Sequence, residues 1–257
     1  MPYSAENIES IRVANQAVRV ALDAVGDLVA PDVATAELNA AVEEVLRHAG
    51  AEFLFVGQRM PNVSTPFPSA ACISVNEEIV HGVPGDRRLA EGDIVSVDCG
   101  ARIAGWCGDS ARTWAVGRVD GLSRRLIEAT REALDVAIAE IRPGLRWSRV
   151  AMLIQGRAER AGFGVVRDFC GHGVGRELHE SPSVPNHADG FGRRRMPDFT
   201  LEPGLVIAIE PMLTAGTYRV MQALPGAWPV VTRDGKRSAH FEHTVAVTDS
   251  GADVLSA

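Results

Sequence analysis

The 257-residue sequence has no long hydrophobic run. Nowhere does it approach the roughly 18 to 20 uninterrupted apolar residues of a membrane span, so neither a membrane-spanning helix nor a membrane partner is expected. Its first residues, MPYSAENIESIRVANQ, lack the basic-then-apolar order of a secretory leader, which makes the cytoplasm the expected compartment. Cysteine is scarce. Cys72, Cys99, Cys107 and Cys170 form no CxxC pair and no dense framework, so their spacing supports neither a zinc knuckle nor a disulfide scaffold. An excess of positive charge is also missing: the net charge is −7, and no specific nucleic-acid partner is expected from it. What remains is an ordinary globular composition, in a chain long enough to bury a sizeable core unaided.

Hydrophobic periodicity organises the chain. Ile8, Ile11, Ala14, Val18, Ala21, Leu22 and Val25 recur on one face of a helix predicted from Ser4 to Val29. A second helix is predicted from Thr35 to His48, stopped at Ala49-Gly50. The layout then repeats, with helices predicted from Ser123 to Ile141 and from Ser148 to Arg160, the latter stopped at Ala161-Gly162. Pro31 and Pro143 are as far apart as Gly50 and Gly162, and at that interval Leu38 falls on Val150 and Val42 on Ile154. This pattern reads as an internal duplication within a single domain, with halves near 1–117 and 118–257. Short β-rich runs (IVSVDC, TWAV, LVIAIE, HTVAVT) follow the helix pairs, so the expected class is α+β rather than a parallel βαβ array.

The chemistry concentrates at strand ends. If the hairpin in VSVDCGARIAGWCGDSART turns at Ile103-Ala104, Asp98 and Asp109 face one another on one side of two antiparallel strands. Paired carboxylates repel unless a cation lies between them or one is protonated; two solvated aspartates near a turn are the plainer alternative. His172 sits in CGHGVG, whose glycines permit unusual backbone angles and close approach of a ligand. Glu210 ends the apolar run LVIAIE, and Glu242 begins an apolar strand in HFEHTVAV. Each is a weak signal alone, and an isolated histidine is more often structural than ligating. Four carboxylates and an imidazole together point to a metal site.

The ordered motifs NEEIVHGVP, SVDCG with GWCGDSART, CGHGVGRELHE, IAIEPM and HFEHT resemble those of the type I methionine aminopeptidases across nearly the whole chain. The resemblance implies the pita-bread fold, two pseudo-symmetric halves around a curved antiparallel sheet. It implies hydrolysis of N-terminal methionine by a metal-bridging hydroxide, with two divalent ions as cofactors: cobalt, manganese, iron or zinc. It further implies that Asp109 and Glu242 bridge the metals, that Asp98 binds one, and that His172 and Glu210 complete the other. His81, His179 and Glu210 would be the catalytic groups, Glu210 moving protons and the two histidines touching the scissile peptide. Phe67, Cys72, Leu178 and Trp228, together with His81 and His179, would bind substrate; for the four wall residues ordinary core packing is the competing reading. A non-catalytic binding protein or a proline-specific peptidase of the same fold are the alternatives.

Two residues depart from the family pattern. Leu178 stands where an aromatic residue is usual, which alters the expected pocket shape, and Cys107 stands where histidine is common, which would bring a soft thiol near the metals. Arg193, Arg194 and Arg195 lie in a stretch longer than usual for the family and are read as a solvated loop, with transient contact to ribosomal RNA as the alternative. The other expected partners are N-terminal peptides, and the expected state is a monomer. Stripped of metal by a chelator, the protein should lose peptidase activity and recover it with cobalt, manganese or iron. Full turnover in a rigorously metal-free sample would exclude a metal-dependent hydrolysis.

Overall fold

The computed structural model describes residues 2–190 and 197–257, so Arg193, Arg194 and Arg195 lie outside the described residues. Four helices form where periodicity and caps predict. Helix α1 (Ala5–Leu28) starts on Ser4, whose hydroxyl accepts from the Asn7 amide, and buries Ile11, Ala14, Val18, Leu22 and Val25. Helix α2 (Thr35–His48) is closed at its start by the Glu37 carboxylate, which accepts from the Ala34 amide, and is followed by Gly50 at φ 67°. Helix α3 (Gly121–Glu140) begins two residues earlier than expected, because Asp120 accepts from the Ser123 amide at 2.7 Å and so caps it.

Helix α4 (Trp147–Arg160) has no cap of its own. Asp198, far along the chain, supplies one: its carboxylate accepts from the Ser148 amide at 3.0 Å, the Ser148 hydroxyl at 2.8 Å and Arg146 Nε at 3.0 Å. Earlier in the chain, the Ala188 amide donates to Gln155 Oε1, on α4 itself, at 2.9 Å. The ends of the two helix hairpins correspond. Leu28 and Glu140, Thr35 and Trp147, and His48 and Arg160 are all separated by the interval that divides Gly50 from Gly162.

The strands are β1 (Glu52–Phe53), β2 (Ala71–Val75), β3 (Glu78–Val80), β4 (Ile94–Ile103), β5 (Trp106–Ala115), β6 (Gly164–Val165), β7 (Gly171–Gly173) and β8 (Glu180–Val184). The chain continues through β9 (Val206–Ile209), β10 (Met212–Thr214), β11 (Val220–Gln222), β12 (Val230–Thr232), β13 (Ser238–His240), β14 (Glu242–Val247) and β15 (Ala252–Val254). The main sheet runs β1-β4-β5-β14-β9-β7-β8, with β2 on β4 and β15 on β14. Its pairs are antiparallel. The class is α+β, as expected. Helices α1 and α2 pack on the β2–β4 side through Val18, Leu22, Leu38 and Val42, and α3 and α4 on the β9–β14 side through Leu126, Leu134, Val150 and Ile154.

The hairpin of β4 and β5 corrects the expected register. Its turn is Ala104-Gly105, both at positive φ (48° and 77°), not Ile103-Ala104. Asp98 therefore lies opposite Ala111, and Asp109 opposite Gly100. The two aspartates are diagonal rather than directly paired. A shift of two residues preserves the side of the sheet, so they still share a face.

Strands β5 and β14 meet at the centre of the sheet, where buried hydroxyls stitch one to the other. Ser110 Oγ donates to the Glu242 carbonyl at 2.7 Å and Thr244 Oγ1 to the Asp109 carbonyl at 2.8 Å, while Thr113 Oγ1, also on β5, reaches the end of β13 at the His240 carbonyl, 2.7 Å away. Helix α1 presses directly on β5. The Asp109 amide donates to Asn15 Oδ1 at 3.2 Å, and a Cβ on Gly108 would meet the Asn15 backbone nitrogen at 2.5 Å. Because backbone cannot yield as a side chain can, Gly108→Ala should destabilise the protein by about 1–3 kcal/mol, seen as a fall of several degrees in Tm. An unchanged Tm would show that α1 is free to move off the strand.

Candidate metal centre

Residues from both ends of the sheet line one cavity of about 330 Å³. Strands β4 and β5 deliver Asp98 and Asp109, β7 delivers His172, Glu210 follows β9, and Glu242 opens β14. These five line the cavity with His81 and His179, and with Phe67, Cys72, Leu178 and Trp228. Every residue named from the sequence as a metal-ligating, catalytic or substrate-binding candidate is thus brought together. Phe55, Gln58, Arg59, Met60, Pro61, Val80, Phe169 and Cys170 complete the wall and were not anticipated. Phe169 and Cys170 directly precede the GHG motif and Val80 precedes His81, so adjacency was the available signal.

One ligand-type atom from each of Asp109, His172 and Glu242 falls within 4.8 Å of the others. His172 Nε2 is 3.7 Å from Asp109 Oδ2 and 3.8 Å from Glu210 Oε1, too far for hydrogen bonds. The Nδ1 side is settled by the Gly173 carbonyl at 3.0 Å, which can only accept; the proton sits on Nδ1 and the Nε2 lone pair faces the carboxylates. That is the arrangement of a metal-ligating imidazole. The glycines beside His172 do not serve the purpose expected of them. Neither has positive φ; a Cβ on Gly171 would strike the Ala208 carbonyl, and one on Gly173 the Ser181 carbonyl, so they admit neighbouring strands rather than a ligand.

Electrostatics test whether the group suits a cation. Asp98 Oδ1, Asp109 Oδ1 and Glu242 Oε1 are buried and, among the described residues, without hydrogen-bond partners. Burial pushes the Asp98 carboxyl up to about 7, with Glu210 adding to the rise and His240 opposing it. Burial, and then the neighbouring carboxylates, push Asp109 and Glu242 well above the usual range. Glu210 behaves oppositely: burial raises it, but His240, His172 and His179 together bring it below its ordinary value. Orphaned anionic oxygens converging on one imidazole lone pair fit divalent cations, whose charge reverses the cost of burying carboxylates.

The flanking imidazoles are neutral. Burial lowers His81 to about 4, where its ring meets Phe169 and Trp228 edge-on at 5.4 and 5.9 Å, and its backbone is held at φ 60°. His179 lies 4.4 Å from His172, ring to ring, and burial followed by His172 lowers it. Cys107 needs correcting. It is absent from the cavity wall and its thiol donates to the Arg176 carbonyl at 3.4 Å, so the sulfur engages that backbone instead of entering the site. One functional neighbour went unread: His240, 2% exposed, places Nε2 3.5 Å from Glu210 Oε2. It stands two residues before Glu242 inside a motif already noted, and only the fold brings it to Glu210.

Comparisons with known proteins agree with this geometry. The sequence pattern of metallopeptidase family M24 matches residues 9–249. Methionine aminopeptidase 1 of Bacillus subtilis is 43% identical over 88% of this chain and 86% of its own length. The methionine aminopeptidase of Aquifex aeolicus is 41% identical over 99% of this chain and 97% of its own. The crystal structure of methionine aminopeptidase from Thermotoga maritima superposes with a TM-score of 0.92 at 40% identity, covering 100% of this chain and 98% of that one.

The raised Asp98 carboxyl has a stability consequence. In metal-free protein its folded value, about 7, exceeds the ordinary 3.8, so its contribution is fully present below about 3.8 and is lost as pH rises through about 7. Asp98→Asn cannot ionise. The substitution should therefore raise the Tm of chelator-treated protein near pH 8 more than near pH 5, and equal shifts at both would show that Asp98 is not strained.

Proposed function

The chain belongs to metallopeptidase family M24, and we infer that it is a methionine aminopeptidase, releasing N-terminal methionine from peptides and nascent proteins whose second residue is small. One observation carries this reading: a carboxylate and imidazole cluster lines the same cavity as the apolar residues Phe67, Cys72, Leu178 and Trp228. A soft, apolar wall suits a thioether side chain.

Asp109 and Glu242 would be shared between two divalent ions, with Asp98 on one ion and His172 and Glu210 on the other; cobalt, manganese, iron and zinc all tolerate such donors. When bound, the ions would supply a water of lowered pKa and polarise the scissile carbonyl. The side chains do the rest. Glu210, held ionised by its histidine neighbours, accepts a proton at its carboxylate and returns it to the departing amine. His179, at the exposed edge of the site, orients the peptide. His81, neutral well below pH 7, acts by hydrogen bonding rather than as a charged acid. Nascent chains as substrates place the enzyme in the cytoplasm. Among the described residues no helix is long and apolar enough to cross a membrane. We further read the chain as one catalytic domain made of two duplicated halves, 1–117 and 118–257. The interval shared by the helix pairs, which also separates Asp98 from Glu210, supports that reading.

Bridging ligands and helpers separate by metal content. Glu242→Ala should abolish binding of a metal pair, whereas His179→Ala should keep metal and mainly lose rate. Equal metal loss in both would remove His179 from its helper role.

The activity itself is tested by mass spectrometry on peptides incubated with metal-loaded protein. Met-Ala-Ser and Met-Pro peptides should lose methionine, while Met-Lys and Met-Phe peptides should stay intact. At the first position the pocket gains about 0.8 kcal/mol per buried methylene, so methionine should exceed alanine by a wide margin. Leu178 removes aromatic volume from the wall, so leucine should be admitted with only about 10- to 200-fold discrimination. Efficient cleavage of Met-Lys, or indifference between methionine and alanine, would defeat the initiator-methionine reading.

A further inference from the structure

His240 has figured so far only among the neighbours that keep Glu210 ionised, yet it is almost wholly buried beside the cavity and its backbone is tightly held. It is 2% exposed, and among the described residues its Nε2 has no partner within hydrogen-bond distance. The polar group that faces this nitrogen is Glu210 Oε2, at 3.5 Å. Its backbone is gripped on both sides by one hydroxyl. Thr113 Oγ1 accepts from the His240 amide at 2.9 Å and donates to the His240 carbonyl at 2.7 Å, so its hydrogen is spent. Ser96 Oγ, 2.8 Å away, must therefore donate to Thr113. In the β10–β13 ladder His240 is registered against Met212, two residues beyond Glu210.

Glu210 is itself held from two directions. Asn186 Nδ2 donates to its carbonyl at 3.0 Å, fixing the main chain, and His240 faces one oxygen of its carboxylate. The other oxygen, Oε1, points to His172 Nε2 at 3.8 Å. A carboxylate can rotate, and in a cavity crowded with other anions its orientation needs a donor behind it. Resting on the metallopeptidase reading above, we propose that His240 is a positioning residue. Through an Nε2–H aimed at Oε2 it fixes the rotation of the Glu210 carboxylate so that Oε1 is presented to the metal beside His172, with Thr113 and Ser96 fixing His240 in turn. Outer partners of this kind tune ligand geometry without touching metal or substrate.

The test compares donors at position 240 in the full-length protein. Metal-free samples are titrated with manganese(II) by calorimetry, and Met-Ala-Ser hydrolysis is then measured on the loaded protein. His240→Phe, with no donor, should weaken metal binding and lower kcat, each by about 10- to 100-fold, while KM stays within about threefold. His240→Gln, which keeps an N–H at similar reach, should restore most of both losses. His240→Asn is too short and should not; if the Phe variant fails to fold by circular dichroism, the contrast between Gln and Asn decides. Wild-type behaviour in Phe or Asn, or a Gln variant as impaired as either, would overturn the role given to His240. A wild-type protein that takes up no manganese or releases no methionine would instead overturn the aminopeptidase reading on which it rests.

Discussion

Four carboxylates, those of Asp98, Asp109, Glu210 and Glu242, share one cavity, and their mutual repulsion is the constraint the surrounding structure must withstand. The chain holds them by their backbones and leaves most of their oxygens free. Asn15 takes the Asp109 amide, Thr244 the Asp109 carbonyl and Ser110 the Glu242 carbonyl. None of these bonds uses a carboxylate oxygen. Had the hydroxyls bonded the carboxylates themselves, the anions would have been satisfied and the site would have had little reason to take a cation. The rigidity comes instead from the seam between β5 and β14, the place where the halves of the chain join.

The correspondence between those halves sharpens this point. Asp98 and Glu210 are separated by the same interval that relates the helix pairs, so they hold equivalent places, yet their proton affinities move in opposite directions. Burial is shared by both. His240 lowers both, but Glu210 also accepts from His240 and feels His172 and His179, whereas the other neighbour at Asp98 is the Glu210 carboxylate, which raises it. A single scaffold thus provides one carboxylate that gives up its proton only near neutral pH and one that gives it up below the ordinary carboxylate range, which separates ligation from proton transfer.

Much of this was legible in the sequence because the signals were local. Helix faces, the start of α1 near Ser4 and the glycine stops at Gly50 and Gly162 follow from spacing alone. The shared face of Asp98 and Asp109 survived an error in the hairpin turn, since side-chain alternation depends on parity and not on the exact pairing. What could not be read depended on distant chain. Asp198 capping α4 is set by tertiary proximity. So are the strands crowding Gly171 and Gly173, the thiol of Cys107 engaged with Arg176, and His240 behind Glu210. Local pattern and the family resemblance marked the candidate site residues, whereas the contacts behind them required the fold.

The cap on α4 reaches beyond helix stability. Ala188, bonded to Gln155, and Asp198, bonded to Ser148 and Arg146, fasten the chain to the same helix on either side of positions 191–196. Both fastenings lie between His179 and Glu210 in sequence, and each is made to α4 rather than to the cavity. A shift of α4 would therefore be felt at both ends of that stretch at once, which ties the helix on the β9–β14 side to the run of chain that joins one site residue to the other.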